Sequence, residues 1–231
     1  LPDNMYFRAM KDEMDRSLKE LRVKNGPKPF YLAYQLENFS ALCESASFGK
    51  LDDREAQPYQ RLRGQAVLAA GSPQNDSMGF TEDQSRYAPV GQSAVPQSYW
   101  GIRHGLWQLT DHGYLNASEM YEKKQAYKRQ KNITNNWPDF ASAPQGSFVE
   151  EIPPFSALPR EEMQAWAKTL SAQGEGVSYL EDFSASLCMI QRDFYYLNSN
   201  GGFYQYAQPS RYVILFAQMR NQAGYRESLR R

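Results

Sequence analysis

Two histidines, His104 and His112, are all the imidazole in this chain of 231 residues. They stand eight residues apart in a stretch with helical periodicity. A rise of ~1.5 Å per residue separates them by about 12 Å along the axis. Zinc–nitrogen bonds are ~2.0 to 2.1 Å long, so one ion cannot hold both on an intact helix. Asp111 adjoins His112 and therefore points elsewhere. Serine chemistry fares no better. Ser45-Ala46-Ser47-Phe48-Gly49 lacks the glycine two residues before the serine and the strand-to-helix turn of a nucleophile elbow. Its hydroxyls are expected to pair across a sheet or face solvent. Glu150-Glu151 and Glu161-Glu162 are adjacent acids without a second carboxylate opposite them, and read as solvated charge. Gly201-Gly202 lacks the lysine and following helix of a phosphate loop. No catalytic residue, metal ligand or cofactor-binding residue is assigned.

Binding is the remaining chemistry. Tyr195, Tyr196, Phe203, Tyr204 and Tyr206 flank the cluster Asn198-Ser199-Asn200-Gly201-Gly202, whose residue types tolerate positive φ and mark a tight reversal between strands. Alternation sends some of these rings into a core and leaves others open, where tyrosine favours protein or peptide contacts. Tyr196, Asn198, Ser199, Gly201 and Tyr204 are the candidate peptide or partner contacts. Cys43 and Cys188 lie in strand-like runs and read as free, small, buried hydrophobes. A disulfide would need their Cα atoms within ~7 Å.

These residues are carried by a mixture of helices and strands. Phe7, Met10, Met14, Leu18 and Leu21 recur at steps of three and four, which puts them on one helical face. After the Gly26-Pro27 break, Phe30 to Leu36 and Leu42 to Phe48 alternate as strands, with Glu37-Asn38-Phe39-Ser40 expected as a hairpin connection. Tyr59 to Ala70 is a third strand, with Leu62, Ala66 and Leu68 inward. Gly71 to Gln97 reads as a long loop. Ser98 is the expected N-cap of a helix to about Lys131, with Ile102, Leu106, Leu109, Tyr114, Ala117 and Tyr121 as its apolar stripe. Lys123, Lys124, Lys128, Arg129 and Lys131 are expected as solvated cations at its negative end. Asn132 to Leu158 is irregular. Pro159, with Glu161 and Glu162, starts a third helix whose stripe is Met163, Trp166 and Leu170 before Gly174. Four further strands follow, at Tyr179–Ile190, Asp193–Leu197, Phe203–Tyr206 and Arg211–Met219. The expected class is α+β, an antiparallel sheet or sheets with about three helices. Residues 1–231 form one domain, or two lobes divided as 1–131 and 132–231.

Composition narrows the partners. Lys+Arg number 26 and Asp+Glu 26, with a sequence pI ≈ 6.9, so no broad positive field attracts nucleic acid. No run approaches the ~20 apolar residues of a membrane span. A start at Leu1 is expected to reflect removal of an upstream segment. A soluble bacterial protein, cytoplasmic or exported, is the expectation. The sequons at Asn38, Asn75, Asn116 and Asn132 are then chance.

Several segments together resemble the amino-terminal domain of the TldD/PmbA family of bacterial metallopeptidases, the modulator of DNA gyrase family. They are the helix Ala9-Met10-Lys11-Asp12-Glu13-Met14-Asp15-Arg16-Ser17-Leu18-Lys19-Glu20-Leu21, then Pro29-Phe30-Tyr31-Leu32-Ala33-Tyr34, Ser45 to Gly49, Tyr99 to Asp111, Trp137-Pro138-Asp139-Phe140 and Tyr195 to Gly201. The likeness spans nearly the whole chain in order. It implies a noncatalytic module that helps wall a peptide groove and contributes to pairing with a homologous subunit, a dimer included. It also implies that zinc sits on a carboxy-terminal domain, on a two-histidine helix to which nothing here corresponds. The alternative is a free-standing binding or scaffold protein that retains the fold without peptidase activity. A divergent enzyme with its site in the Gly71–Gln97 loop is a third reading, and predicts a concave pocket beside that loop.

Overall fold

The structure, a computed structural model, describes residues 1–52, 57–79, 90–134, 137–141, 145–220 and 226–230. Its elements are α1 (Met5–Glu20), β1 (Pro29–Ser47), β2 (Lys50–Leu51), β3 (Tyr59–Ala70), β4 (Val90–Val95), α2 (Tyr99–Gln130), β5 (Ser147–Val149), α3 (Arg160–Ser171), β6 (Leu180–Asn198), β7 (Phe203–Arg220) and β8 (Arg226–Arg230). The strands form one sheet in the order β4-β3-β1-β6-β7-β5, with β2 on β1 and β8 on β7. The pairs β1–β2, β3–β4 and β7–β8 are antiparallel, whereas β5 runs parallel to β7. The class is α+β.

Local signals account for both long helices. Asn4 caps α1 by accepting from the Phe7 amide at 3.0 Å, and Ser98 caps α2 by accepting from Gly101 at 3.1 Å. The periodic faces of both are buried as their spacing requires, Phe7, Met10 and Met14 on α1 and Ile102, Leu106, Leu109, Tyr114 and Ala117 on α2.

The chain divides into two compact units. The first comprises Leu1–Asn38, Arg61–Ile152 and Asp193–Tyr206. Its core joins α1 and α2 to Leu32, Tyr34, Leu36, Leu62, Ala66, Leu68, Tyr195 and Leu197. Each large side chain buried there stabilises the fold by roughly 1.5–3 kcal/mol. The second comprises Phe39–Gln60, Pro153–Arg192 and Ala207–Arg231, with a small core of Met163, Leu187 and Met189 flanked by Leu42, Phe155, Ala157 and Leu158.

Several expectations are corrected. Glu37 to Ser40 is not a hairpin, because β1 runs unbroken from Pro29 to Ser47. The polar side chain that suggested a turn is satisfied in the strand: the Asn38 amide donates to Asp193 at 2.9 Å and accepts from Gln97 at 2.8 Å. Tyr179–Ile190 and Asp193–Leu197 are likewise one strand, and so are the last two runs. Pro209 is tolerated within β7 because it falls between the residues that pair with β5 and those that pair with β8. The Gly71–Gln97 loop contains a strand, β4, which lies against β3 with Leu62 opposite Val95. Residues 80–89 of that loop lie outside the described residues. On α3 the buried residues are Met163, Ala167 and Ser171, while Trp166 is 54% exposed, since an i, i+4 face carries the small side chains inward.

Cys43 and Cys188 are not free. They form a disulfide within the second unit, across the neighbouring strands β1 and β6, with Cα atoms 4.1 Å apart. Two strand-borne cysteines 145 residues apart in sequence meet because the sheet order places their strands side by side.

Candidate functional site

The turn Asn198–Gly202 is built by one side chain. Asn198 Oδ1 accepts from the backbone amides of Asn200 at 3.0 Å and Gly202 at 2.9 Å, while the Asn198 backbone N–H donates to the Gly202 carbonyl at 2.9 Å. Gly201 takes φ +90°, a left-handed conformation that a Cβ disfavours. Ser199 ties the turn to β1, donating through its amide to the Leu32 carbonyl at 2.8 Å and accepting from the Leu32 amide at its hydroxyl at 3.1 Å.

Alternation then sorts the aromatics. Tyr195 faces α1, where Tyr6 stacks on it at 4.2 Å and Phe7 meets it edge-on at 6.1 Å. Tyr196, Tyr204 and Tyr206 are half-buried on the opposite side. The Tyr196 and Tyr204 rings are stacked 4.7 Å apart and 7° from parallel, Tyr204 lies 5.7 Å from Tyr206, and Tyr206 stacks on Phe194 at 4.9 Å. From β1, Tyr31 sets its hydroxyl 3.2 Å from that of Tyr196, to which the Asn198 amide nitrogen also donates at 3.3 Å. Tyr204 donates to Gln35 at 3.1 Å. Burial, reinforced by the Tyr196 contact, pushes the Tyr31 hydroxyl well above the ordinary phenol range. Burial and the neighbouring Tyr206 and Tyr196 raise Tyr204 in the same direction.

Tyr31, Tyr196 and Tyr204 border an open cavity of about 280 Å³, completed by Phe140, Gln145, Gly146, Asn200 and Gly202. Phe140 packs 4.8 Å from Tyr31 and 5.4 Å from Phe30. Of the five residues singled out from sequence, Tyr196, Asn198 and Tyr204 line this cavity. Ser199 and Gly201 instead border a smaller one of about 170 Å³, with Met14, Leu18 and Phe203. Sequence reasoning missed Tyr31, Phe140, Gln145 and Asn200. Asn200 stood in the turn cluster, and Tyr31 and Phe140 in segments that carry the family resemblance, but none of them was singled out as a contact.

Phe140 is held by a charged network that the lysine-rich helix end conceals in sequence. Asp139 accepts from Lys128 at 2.9 Å, from Lys124 at 3.0 Å and from the Asp76 amide at 3.2 Å. Lys124 also donates to Asp76 at 2.7 Å and to the Met78 carbonyl at 2.8 Å. The Phe140 amide donates to the Pro73 carbonyl at 2.9 Å. Lys124 and Lys128 are therefore not solvated cations at a helix end; their partners, two aspartates from distant loops, draw them inward. Burial alone would raise Asp139, but hydrogen bonds from Lys128 and Lys124 hold it below the usual carboxylate range.

The other chemistry-bearing residues stay apart. His104 and His112 are exposed on α2, His112 beside Asn116 at 3.2 Å. Ser45 pairs with Ser186 at 2.8 Å and Ser47 donates to Asp182 at 3.0 Å. Glu150, Glu151, Glu161 and Glu162 are exposed. Among the described residues no group of three His, Cys, Asp or Glu side chains is arranged to hold a metal. Neither cavity is lined by residues 71–79 or 94–97.

The sequence matches no protein-family model, and no curated protein matches it. Solved structures do. A candidate modulator of DNA gyrase from Thermotoga maritima superimposes with a TM-score of 0.50 at 9% identity, over 97% of this chain and 42% of that one. Its counterpart from Bacteroides thetaiotaomicron gives 0.50 at 14% identity, over 97% and 43%. TldE from Thermococcus kodakarensis is more distant, at 0.41 and 11% identity over 96% and 43%. The chain thus has the fold that its resemblance to the TldD/PmbA family implies, and it spans about two fifths of the length of the gyrase-modulator chains that share it.

Proposed function

We propose that these residues form a noncatalytic module of a TldD/PmbA-like peptidase, one that contributes to a peptide groove and to pairing between subunits. The observation that supports the groove is the half-open surface of Tyr31, Tyr196, Tyr204 and Phe140 beside the 280 Å³ cavity. Tyrosine rings offer broad contact area at low entropic cost. Nearby, β5 ends the strand order with Phe148 and Val149 exposed, an edge to which an extended peptide can add main-chain hydrogen bonds. In this reading zinc and hydrolysis are supplied by another polypeptide segment. Titrating the 15N-labelled protein with an amide-capped extended heptapeptide should shift resonances of Tyr31, Phe140, Gln145, Tyr196 and Tyr204. Shifts confined to other residues would exclude this surface as the groove.

Subunit pairing is supported by α2, which exposes Trp100 (71%), Trp107 and Leu115. Aromatic side chains are enriched in interface cores. Sedimentation should show a dimer that Trp100→Ala with Trp107→Ala dissociates; an unchanged mass for the double variant would assign the contact elsewhere.

A further inference from the structure

We infer that the 280 Å³ cavity takes one uncharged aromatic side chain of a bound peptide, and that the Tyr31–Tyr196 pair donates a hydrogen bond to a carbonyl beside it. The inference rests on the peptide-binding reading above and names what that site selects.

Counting protons gives the hydrogen bond. Two phenols carry two O–H protons, and the single contact between them, at 3.2 Å, uses one. The Asn198 amide nitrogen can only donate, so its contact with Tyr196 occupies a lone pair and no proton. Among the described residues neither hydroxyl meets another acceptor. One O–H is therefore left over. Either hydroxyl can donate in that contact; because Tyr196 already accepts from Asn198, the cooperative direction runs Asn198 to Tyr196 to Tyr31, and in that direction the free proton is on Tyr31, at the cavity. The raised Tyr31 pKa keeps it a donor throughout the neutral range. A donor beside half-buried rings matches a carbonyl oxygen.

The lining gives the selectivity. It consists of Tyr31, Tyr196, Tyr204, Phe140 and the amides of Gln145, Asn198 and Asn200, with glycines, one alanine and Phe203, and carries no charge. A charged side chain entering here would lose water without gaining a counter-ion, which is strongly unfavourable. A ring gains offset or edge-on contact with the tyrosines and Phe140. At about 280 Å³ the space lies just below the ~300 Å³ at which drug-sized ligand sites begin, the scale of one ring-bearing residue.

The test is calorimetric titration with acetyl-Gly-Xaa-Gly-amide, where Xaa is Phe, Leu, Glu or Lys. The Phe peptide should bind at least tenfold more tightly than the Glu and Lys peptides. Tyr31→Phe should weaken it about five- to tenfold, the worth of one hydrogen bond, while loss of the Tyr196 contact lowers the thermal midpoint by only about 2–4 °C. Gln145→Glu should raise affinity for the Lys peptide relative to Phe, a gain that misfolding cannot mimic. Equal affinity for all four peptides would overturn the selectivity and leave the peptide-binding reading standing. Undiminished binding by Tyr31→Phe would overturn the assigned donor. Binding of a neutral oligosaccharide, or of nothing, with no peptide bound, would overturn both.

Discussion

The Asp139 carboxylate accepts a hydrogen bond from the Lys128 ammonium at 2.9 Å, and the next residue in the chain is Phe140, one wall of the aromatic cavity. Lys124 and Lys128 balance Asp76 and Asp139, so the network is neutral as a whole. Asp76 is fully buried, and one of its carboxylate oxygens has no hydrogen-bond partner. Paired buried charges hold geometry well and tolerate loss of a partner badly. One wall of the cavity is therefore tied to a charged network that does not itself line it.

Asp139→Asn should lower unfolding free energy at pH 7 by about 1–3 kcal/mol, since it removes the charge that two ammonium groups share. The pH dependence has a defined sign. A carboxyl whose folded pKa is depressed contributes fully above its unfolded value, ~3.9, and loses that contribution as pH falls through the folded value. Urea unfolding of wild type and variant should thus differ at pH 7 and converge towards pH 2. A gap that stays constant with pH would assign the effect to something other than the ionised carboxylate.

Neighbouring lysines should behave very differently. Lys124→Met strands the buried Asp76 and leaves Asp139 with Lys128 alone, and should cost about 3–5 kcal/mol. Lys123, paired with Glu119 on the exposed side of α2, should cost no more than about 0.5 kcal/mol when replaced by alanine. Chemical denaturation of the two variants checks this, and equal costs would contradict the network.

The Cys43–Cys188 bond should protect both sulfurs from alkylation in unfolded, unreduced protein. Because it closes a 145-residue separation beside a small core, reduction should lower stability by about 2–5 kcal/mol. Mass spectrometry after iodoacetamide treatment, with and without reductant, decides the pairing; two alkylated thiols without reductant would refute it.

Gly201→Ala should destabilise the turn by about 1 kcal/mol or more, because φ is +90° and the added Cβ would lie 3.0 Å from the Gln145 side chain. Gly146→Ala is the control: nothing lies within 4 Å of its Cβ position, and its thermal midpoint should stay within a degree or two of wild type. Similar midpoints for both variants would argue against the left-handed turn.

Local chemistry made much of this legible in the sequence. Ser98 and a stripe at helical spacing define α2 almost to the residue, Tyr59 to Ala70 is β3 as its alternation requires, and Asn198 to Gly202 is the reversal its residue types demand. These features depend on dihedral preferences and on which face of an element is apolar, both of which are written within a few residues. The candidate site was half legible for the same reason, since Tyr196, Asn198 and Tyr204 flank that turn.

What only the tertiary structure decided depends on partners far away in the chain. Asn38 stays within a strand because Asp193 and Gln97 satisfy it, Cys43 meets Cys188 because β1 and β6 are neighbours, Lys124 turns inward to Asp76 and Asp139, and Tyr31, Phe140 and Gln145 converge on the hairpin. A polar or sulfur-bearing residue has the same local signature whether water or a distant partner satisfies it. The cost of burying it unpaired, which selects the outcome, arises only once the sheet has brought that partner within about 3 Å.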